Sequence, residues 1–165
     1  MRDPALGQVV GIRLRCLDGS KFAVRGGKEG LFIPATESSK SEPLLIGEGA
    51  TDTAAMLDMG FTNVVGRPNC SGGIRQLVAL VGLRRPNAVV IVADGDTPGR
   101  TGAANLASVL RVYASEVRVI EPPPGVSDIR AWKRAGAGRA DVEALIVAAP
   151  VRRLIVATTI RGATR

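Results

Sequence analysis

Residues 44–52, LLIGEGATD, and residues 88–99, AVVIVADGDTPG, decide how this chain is read. In each, an uninterrupted apolar run stops at carboxylates and glycine: Glu48 and Asp52 after the first, Asp94 and Asp96 after the second. Short runs of Val, Ile and Leu without alternation are the mark of parallel strands buried on both faces. If the two strands lie in one sheet, their acidic tips meet at its carboxyl edge, where open α/β sheets bind ligands.

Working outward, apolar and helical patterns alternate. Residues 44–47 read as a strand and 51–59 as a helix with Thr51 as cap. Residues 63–66 read as a second strand, followed by the glycine-rich loop PNCSGG and a helix with Ile74, Leu77, Val78 and Val81 on one face. The strand at 88–93 leads to a helix with Ala103, Leu106, Ala107 and Leu110 aligned and Tyr113 on its packed face, and VRVIE at 117–121 supplies a fourth strand. Strand, helix, strand in this order implies right-handed crossovers and a four-stranded parallel sheet, an α/β fold.

Before it, residues 1–35 read as a small antiparallel β unit with a turn at Asp18-Gly19, and residues 36–43 as a polar linker. After it come helices at 128–135 and 141–149, the latter aligning Val142, Leu145, Ile146 and Ala149. The tail has the strand composition RLIVATTI but no evident partner. The expected division is 1–42 for the lead-in and linker, 43–135 for the core, and 136–165 for a helix and basic tail.

The 165 residues suffice for one core, with 45% hydrophobic residues but 3% aromatic ones, so Val, Leu, Ile and Ala must fill it. Formal charge is +7. Residues 41–58 hold four acids and no base, 59–93 four arginines and no acid, and 129–165 eight bases against two acids. An acidic focus in a basic frame suits a metal site that meets phosphate; solvated arginines on an ordinary surface give the same count. Two cysteines, Cys16 and Cys70, and no histidine argue against zinc in this segment. The first residues lack the apolar core of a signal peptide, and no apolar run approaches the roughly 20 residues of a membrane span, so a cytoplasmic place without a membrane is expected.

Magnesium takes oxygen ligands at about 2.1 Å, from carboxylates, water and phosphate. Three or four converging acids could hold two such ions roughly 3.5–4 Å apart, as in phosphoryl transfer. Asp52, four residues after Glu48, would sit in a first helical turn and point back toward it. Asp94 and Asp96, two apart in extended backbone, would point the same way, and Asp128 would open a helix on the same edge. Each also has an ordinary use: Asp52 and Asp128 as charges at helix amino ends, Asp94 and Asp96 as turn formers. Glu48, between two glycines, has no capping duty.

A strand ending in Glu-Gly, with Asp three residues after that glycine, and a later strand ending in Asp-x-Asp-x-x-Gly resemble the Toprim domain of bacterial primases, type IA and II topoisomerases, OLD-type nucleases and RecR-type repair proteins. The match covers about residues 43–130. The lead-in GIRLRCLDGSKFAVRGGKEGLFIP, the stretch EGATDTAAMLDMGFTNVVGRPN and PGVSDIRAW are similar to the Toprim segments of phage and plasmid primases and primase-helicases.

The resemblance implies that Glu48 is catalytic, that Glu48, Asp94, Asp96 and Asp128 hold magnesium or manganese, and that Asp52 is a supporting acid. It implies nucleotidyl transfer in primer synthesis from ribonucleotides on single-stranded DNA, with a helicase as a further partner. Toprim nucleases and non-catalytic DNA- or helicase-binding modules use the same framework. No zinc module, no GxxxxGK[ST] loop and no tyrosine placed as a topoisomerase nucleophile occur in the sequence.

Phosphate would be met by Lys21 and Arg25 (with Lys28) on the β unit, by Arg67 beside the acids, by the amides of Gly72 and Gly73 at a helix start, and by Arg100, whose charge opposes the dipole at the start of its helix. Trp132 is expected to pack rather than stack on a base.

Overall fold

The computed structural model describes residues 1–35, 39 and 41–154. Most of the tail segment RLIVATTI lies outside them. Strands β1 (Arg13–Arg15) and β2 (Lys21–Ala23) form an antiparallel hairpin, followed by β3 (Leu44–Glu48), α1 (Gly49–Asp58), β4 (Val64–Arg67), α2 (Ile74–Arg84), β5 (Val89–Val92), α3 (Thr97–Leu110), β6 (Val117–Ile120), α4 (Ile129–Arg134) and α5 (Arg139–Ala148). The last four strands make one parallel sheet in the order β4-β3-β5-β6.

That order follows from the apolar runs. Leu44, Leu45, Ile46 and Val89 to Ile91 are wholly buried, because both sheet faces are covered. Alternate residues supply two separate cores. Leu44, Ile46, Val65, Val89 and Ile91 pack under α2 and α3, against Leu77, Val81, Leu106 and Leu110. Leu45, Val64, Val90 and Val92 pack on the other face against Met56, Phe61, Ile129 and Val142, with Trp132 partly buried beside them.

From β3 the chain steps outward to β4, then returns past β3 to β5 and on to β6. Right-handed crossovers in opposite directions place α1 on one face and α3 on the other. The direction of winding reverses between β3 and β5, and a crevice opens there at the carboxyl edge. Glu48 ends β3 and Asp94 follows β5 after Ala93, so the topology itself puts both acids at this crevice.

Three local expectations are corrected. Helix α1 begins at Gly49, whose φ of 74° turns the chain straight off the strand, so Thr51 lies inside the first turn and caps nothing. Asp96 keeps extended backbone and is also the N-cap of α3, accepting from the Gly99 amide at 2.7 Å. Tyr113 lies beyond the end of α3 and is 52% exposed, since the helix has already closed at Leu110. The start of the tail does find a partner, because Arg152 bridges Val117 of β6 antiparallel, with Arg152 N donating to Val117 O at 2.7 Å. At the opposite edge Phe32 pairs antiparallel with Gly66 of β4, through bonds of 2.8 and 2.9 Å.

The end of the fold is fastened by arginines. Arg139 bonds Glu42, Glu143 and the Gly60 carbonyl, and lies 4.7 Å from the centre of the Phe61 ring. Arg118 on β6 donates to the carbonyls of Ile146 and Ala149 at the carboxyl end of α5, where a cation complements the helix dipole.

Candidate active site

Glu48 and Arg67 are register partners on neighbouring strands, so their side chains rise from the same face of the sheet. Arg67 Nη2 donates to Glu48 Oε1 at 2.8 Å and Arg67 Nη1 to the Cys70 carbonyl at 2.6 Å. The arginine and glutamate side chains are 1% and 13% exposed. Glycines set α1 close against this part of the sheet: a Cβ on Gly47 would strike Met56, and one on Gly66 would run into Thr53 Oγ1 and the Gly49 carbonyl.

Across the crevice the acids are crowded. Burial first, and then the charges of Glu48, Asp128 and Asp96, push the Asp94 carboxyl up to about 6. Asp52, 5% exposed, is pushed up to about 7 by burial and then by Asp94 and Asp128. Asp128 behaves oppositely. Burial raises it, but its bonds from the Ala131 amide and from Arg130 outweigh burial and hold it below the ordinary carboxylate range.

Glu48, Asp52, Asp94, Asp96 and Asp128 thus lie near enough for their charges to act on Asp52 or Asp94. They are not drawn together into a closed cage: among the described residues no three acidic, cysteine or histidine side chains could hold a metal ion as they stand. The reason is visible in their partners. Asp96 and Asp128 each spend one oxygen capping α3 and α4, and Glu48 is tethered by Arg67. The donor chemistry nevertheless fits a hard divalent cation, being all oxygen, and the surplus negative charge around Asp94 is what such a cation would offset.

No known protein family matches the sequence, and no curated protein matches it. Solved structures do match. The chain is similar to the DnaG primase catalytic domain bound to ssDNA, with TM-score 0.67 and 23% identity over 92% of this chain and 50% of that one. It is similar to the Aquifex aeolicus primase, comprising zinc-binding and RNA polymerase domains, with TM-score 0.69 and 23% identity over 92% and 40%. The fold is the Toprim fold of the primase core. A third match is the RNA polymerase domain of Mycobacterium tuberculosis DnaG in complex with double-stranded DNA carrying a 6-nucleotide overhang, with TM-score 0.65 and 23% identity over 91% and 52%. The chain spans about half the length of these primase structures or less.

Within this Toprim fold the basic residues are placed differently from expectation. Arg67 does lie beside the acids, but as a buried partner of Glu48 rather than as a free phosphate ligand. The amides of Gly72 and Gly73 are not an open anion site: Asn69 Oδ1 accepts from Gly72 at 2.7 Å and the Glu29 carboxylate accepts from Gly73. The chain has filled the amino end of α2 with its own anion, which satisfies the dipole there. Arg100 is paired with Glu121 at 2.7 Å, which neutralises the charge that opposed its helix. Arg25 sits in the exposed turn after β2.

Lys21 stands in a more telling place. A cavity of about 140 Å³ opens between the hairpin and the amino end of α1, lined in part by Arg13, Arg15, Lys21, Gly49 and Thr51, next to Glu48 in sequence. The hairpin register pairs Arg15 with Lys21 and Leu14 with Phe22. Strand alternation therefore gathers Arg13, Arg15 and Lys21 on one face.

Sequence reasoning misses Arg13 and Arg15, although the alternation in GIRLR carries the signal. It misses Arg130 too. That residue pairs with Asp128 at 3.0 Å and opposes the charge at Asp52. No sequence pattern distinguishes it from an ordinary helix arginine.

Proposed function

We propose that this chain is a divalent-cation-dependent Toprim catalytic domain acting on nucleic acid, and that its reaction is nucleotidyl transfer from ribonucleotides in primer synthesis on a single-stranded DNA template. The observation that carries this reading is the placement of Glu48 and Asp94 at the ends of adjacent parallel strands, where the sheet reverses its winding. The likeness to primase structures solved with DNA supports it. Magnesium or manganese is the expected cation, a helicase the expected further partner and the cytoplasm the expected place. No helix among the described residues is long and apolar enough to cross a membrane.

In this reading Glu48 accepts the proton of the attacking hydroxyl. Asp94 and Asp96 hold the cation, with Asp128 in support. A cation bound there neutralises charge on the phosphate being transferred. Arg13, Arg15 and Lys21 hold phosphates of template or nucleotide over the carboxyl edge.

The test is templated incorporation of labelled ribonucleotides on single-stranded DNA with magnesium or manganese. Short ribonucleotide products that vanish in Glu48→Gln and Asp94→Asn are expected. Cleavage of the DNA strand without incorporation would move the reading to a Toprim nuclease. DNA binding with neither reaction would leave a binding module. Replacing Arg13, Arg15 and Lys21 with alanine should reduce the slope of log affinity against log salt by about 0.7 for each phosphate no longer neutralised.

A further inference from the structure

Arg67 is a costly residue in its position. Its side chain is 1% exposed, and its Nε has no hydrogen-bond partner among the described residues. A buried ion pair is weak evidence of stabilisation, because apolar residues of similar size do as well or better. The guanidinium must therefore be explained by what it holds, and its bonds are specific. One nitrogen takes Glu48 Oε1; the other takes the Cys70 carbonyl and fixes the loop after β4. That loop is itself seated on α3, since a Cβ on Gly102 would collide with the Cys70 backbone. Arg67 is thus built into both the sheet and the loop, and cannot swing away from Glu48 as an exposed arginine would.

The same geometry divides the acids. A cation placed on the second oxygen of Glu48 would stand within a few ångströms of a fixed guanidinium charge, in a site where that repulsion is poorly screened. Among the described residues Asp94 and Asp96 are bonded to no arginine, and the Arg67 charge acts on Asp94 more weakly than burial and the neighbouring carboxylates do: Asp96 gives one oxygen to the Gly99 amide and keeps the other.

We propose that Arg67 is a positioning residue that withholds Glu48 from cation coordination, so that Glu48 is kept for proton transfer while Asp94 and Asp96 hold the divalent cation. The proposal rests on the metal-dependent reading above and removes Glu48 from the ligand set that the Toprim resemblance implies.

The experiment measures Mn²⁺ binding to the full chain from the electron paramagnetic resonance signal of free Mn²⁺. Arg67→Met releases Glu48 and removes a positive charge, so binding should tighten by about fivefold or more. Arg67→Lys preserves the pairing charge and should stay near wild type. The deciding variant is Arg67→Met/Glu48→Gln, which exchanges a neutral pair for a neutral pair and leaves the net charge unchanged. Its affinity should lie within about threefold of wild type, and unlike Arg67→Met alone it strands no buried charge.

A loss of about tenfold or more in the double variant would make Glu48 a ligand and overturn the proposal, as would weaker binding in a folded Arg67→Met. Those outcomes leave the metal-dependent reading intact. Equal absence of Mn²⁺ binding in wild type and Asp94→Asn would overturn both.

Discussion

The two acidic strand ends look alike in sequence and differ in what surrounds them. At the end of β3, Glu48 is answered by a buried arginine at hydrogen-bonding distance and occupies the N-cap position of α1 without making a cap bond. At the end of β5, Asp94 is answered by other carboxylates, and the capping is done by Asp96 two residues later. One end is charge-balanced and geometrically fixed; the other carries repulsion that the charge of Arg67 only partly offsets. A motif of acids after strands therefore says where charge will be placed, while the neighbours decide whether that charge is locked or waiting for a counter-ion.

The largest expected effect breaks the balanced end. Arg67→Met should lower unfolding stability by about 3–5 kcal/mol, the usual result of stranding one member of a buried pair. Arg67→Met/Glu48→Gln should recover much of that loss, because no charge is left alone; urea denaturation of the two variants checks it. If both lose equally, the arginine acts through packing, and charge balance is not what distinguishes the two strand ends.

The second effect concerns the crowded end and is read through pH. Asp52 has a folded value of about 7 against an ordinary 3.8, so the folded state prefers it protonated. Its contribution is fully present below about pH 4 and is lost as pH rises toward 7, with Asp94 adding a similar loss up to about 6. Stability should accordingly fall between pH 4 and 7, by on the order of 3 kcal/mol from Asp52. Asp52→Asn should flatten that slope and leave the protein more stable than wild type at pH 8. Thermal melts across this range decide it: an unchanged slope in the variant would show that repulsion at Asp52 is already relieved.

The third effect is smaller and separates capping from charge. Asp96→Ala should cost about 1 kcal/mol through loss of the bond to Gly99, and Asp128→Ala a similar amount through loss of the bond to Ala131. Glu48→Gln, which loses no cap but strands the buried Arg67 charge, should cost more than either, nearer the loss expected for Arg67→Met.

Most of the fold is legible in the sequence because it depends on local patterns. The four apolar runs are the four parallel strands, and the helical faces at 74–81 and 103–110 are the buried sides of α2 and α3. What escapes depends on register and on residues far apart in sequence. Arg67 reads as a loop cation because nothing local shows that it stands opposite Glu48 across β3 and β4. Gly72 and Gly73 read as an open anion site because Glu29, which fills it, lies 44 residues earlier than Gly73. Arg100 reads as free for an external anion because Glu121 meets it from the end of another strand. Thr51 reads as a cap because the positive φ at Gly49, which starts the helix earlier, has no signature beyond the glycine itself.

The short antiparallel pairings of Phe32 on β4 and Arg152 on β6 bear on how this domain can be joined to anything larger. They occupy hydrogen-bonding groups on both outermost strands of the parallel sheet. A further polypeptide cannot extend that sheet by strand addition at Gly66 or Val117 without first displacing a segment of this chain. The crevice between β3 and β5 lies in the middle of the sheet, away from both of these edges.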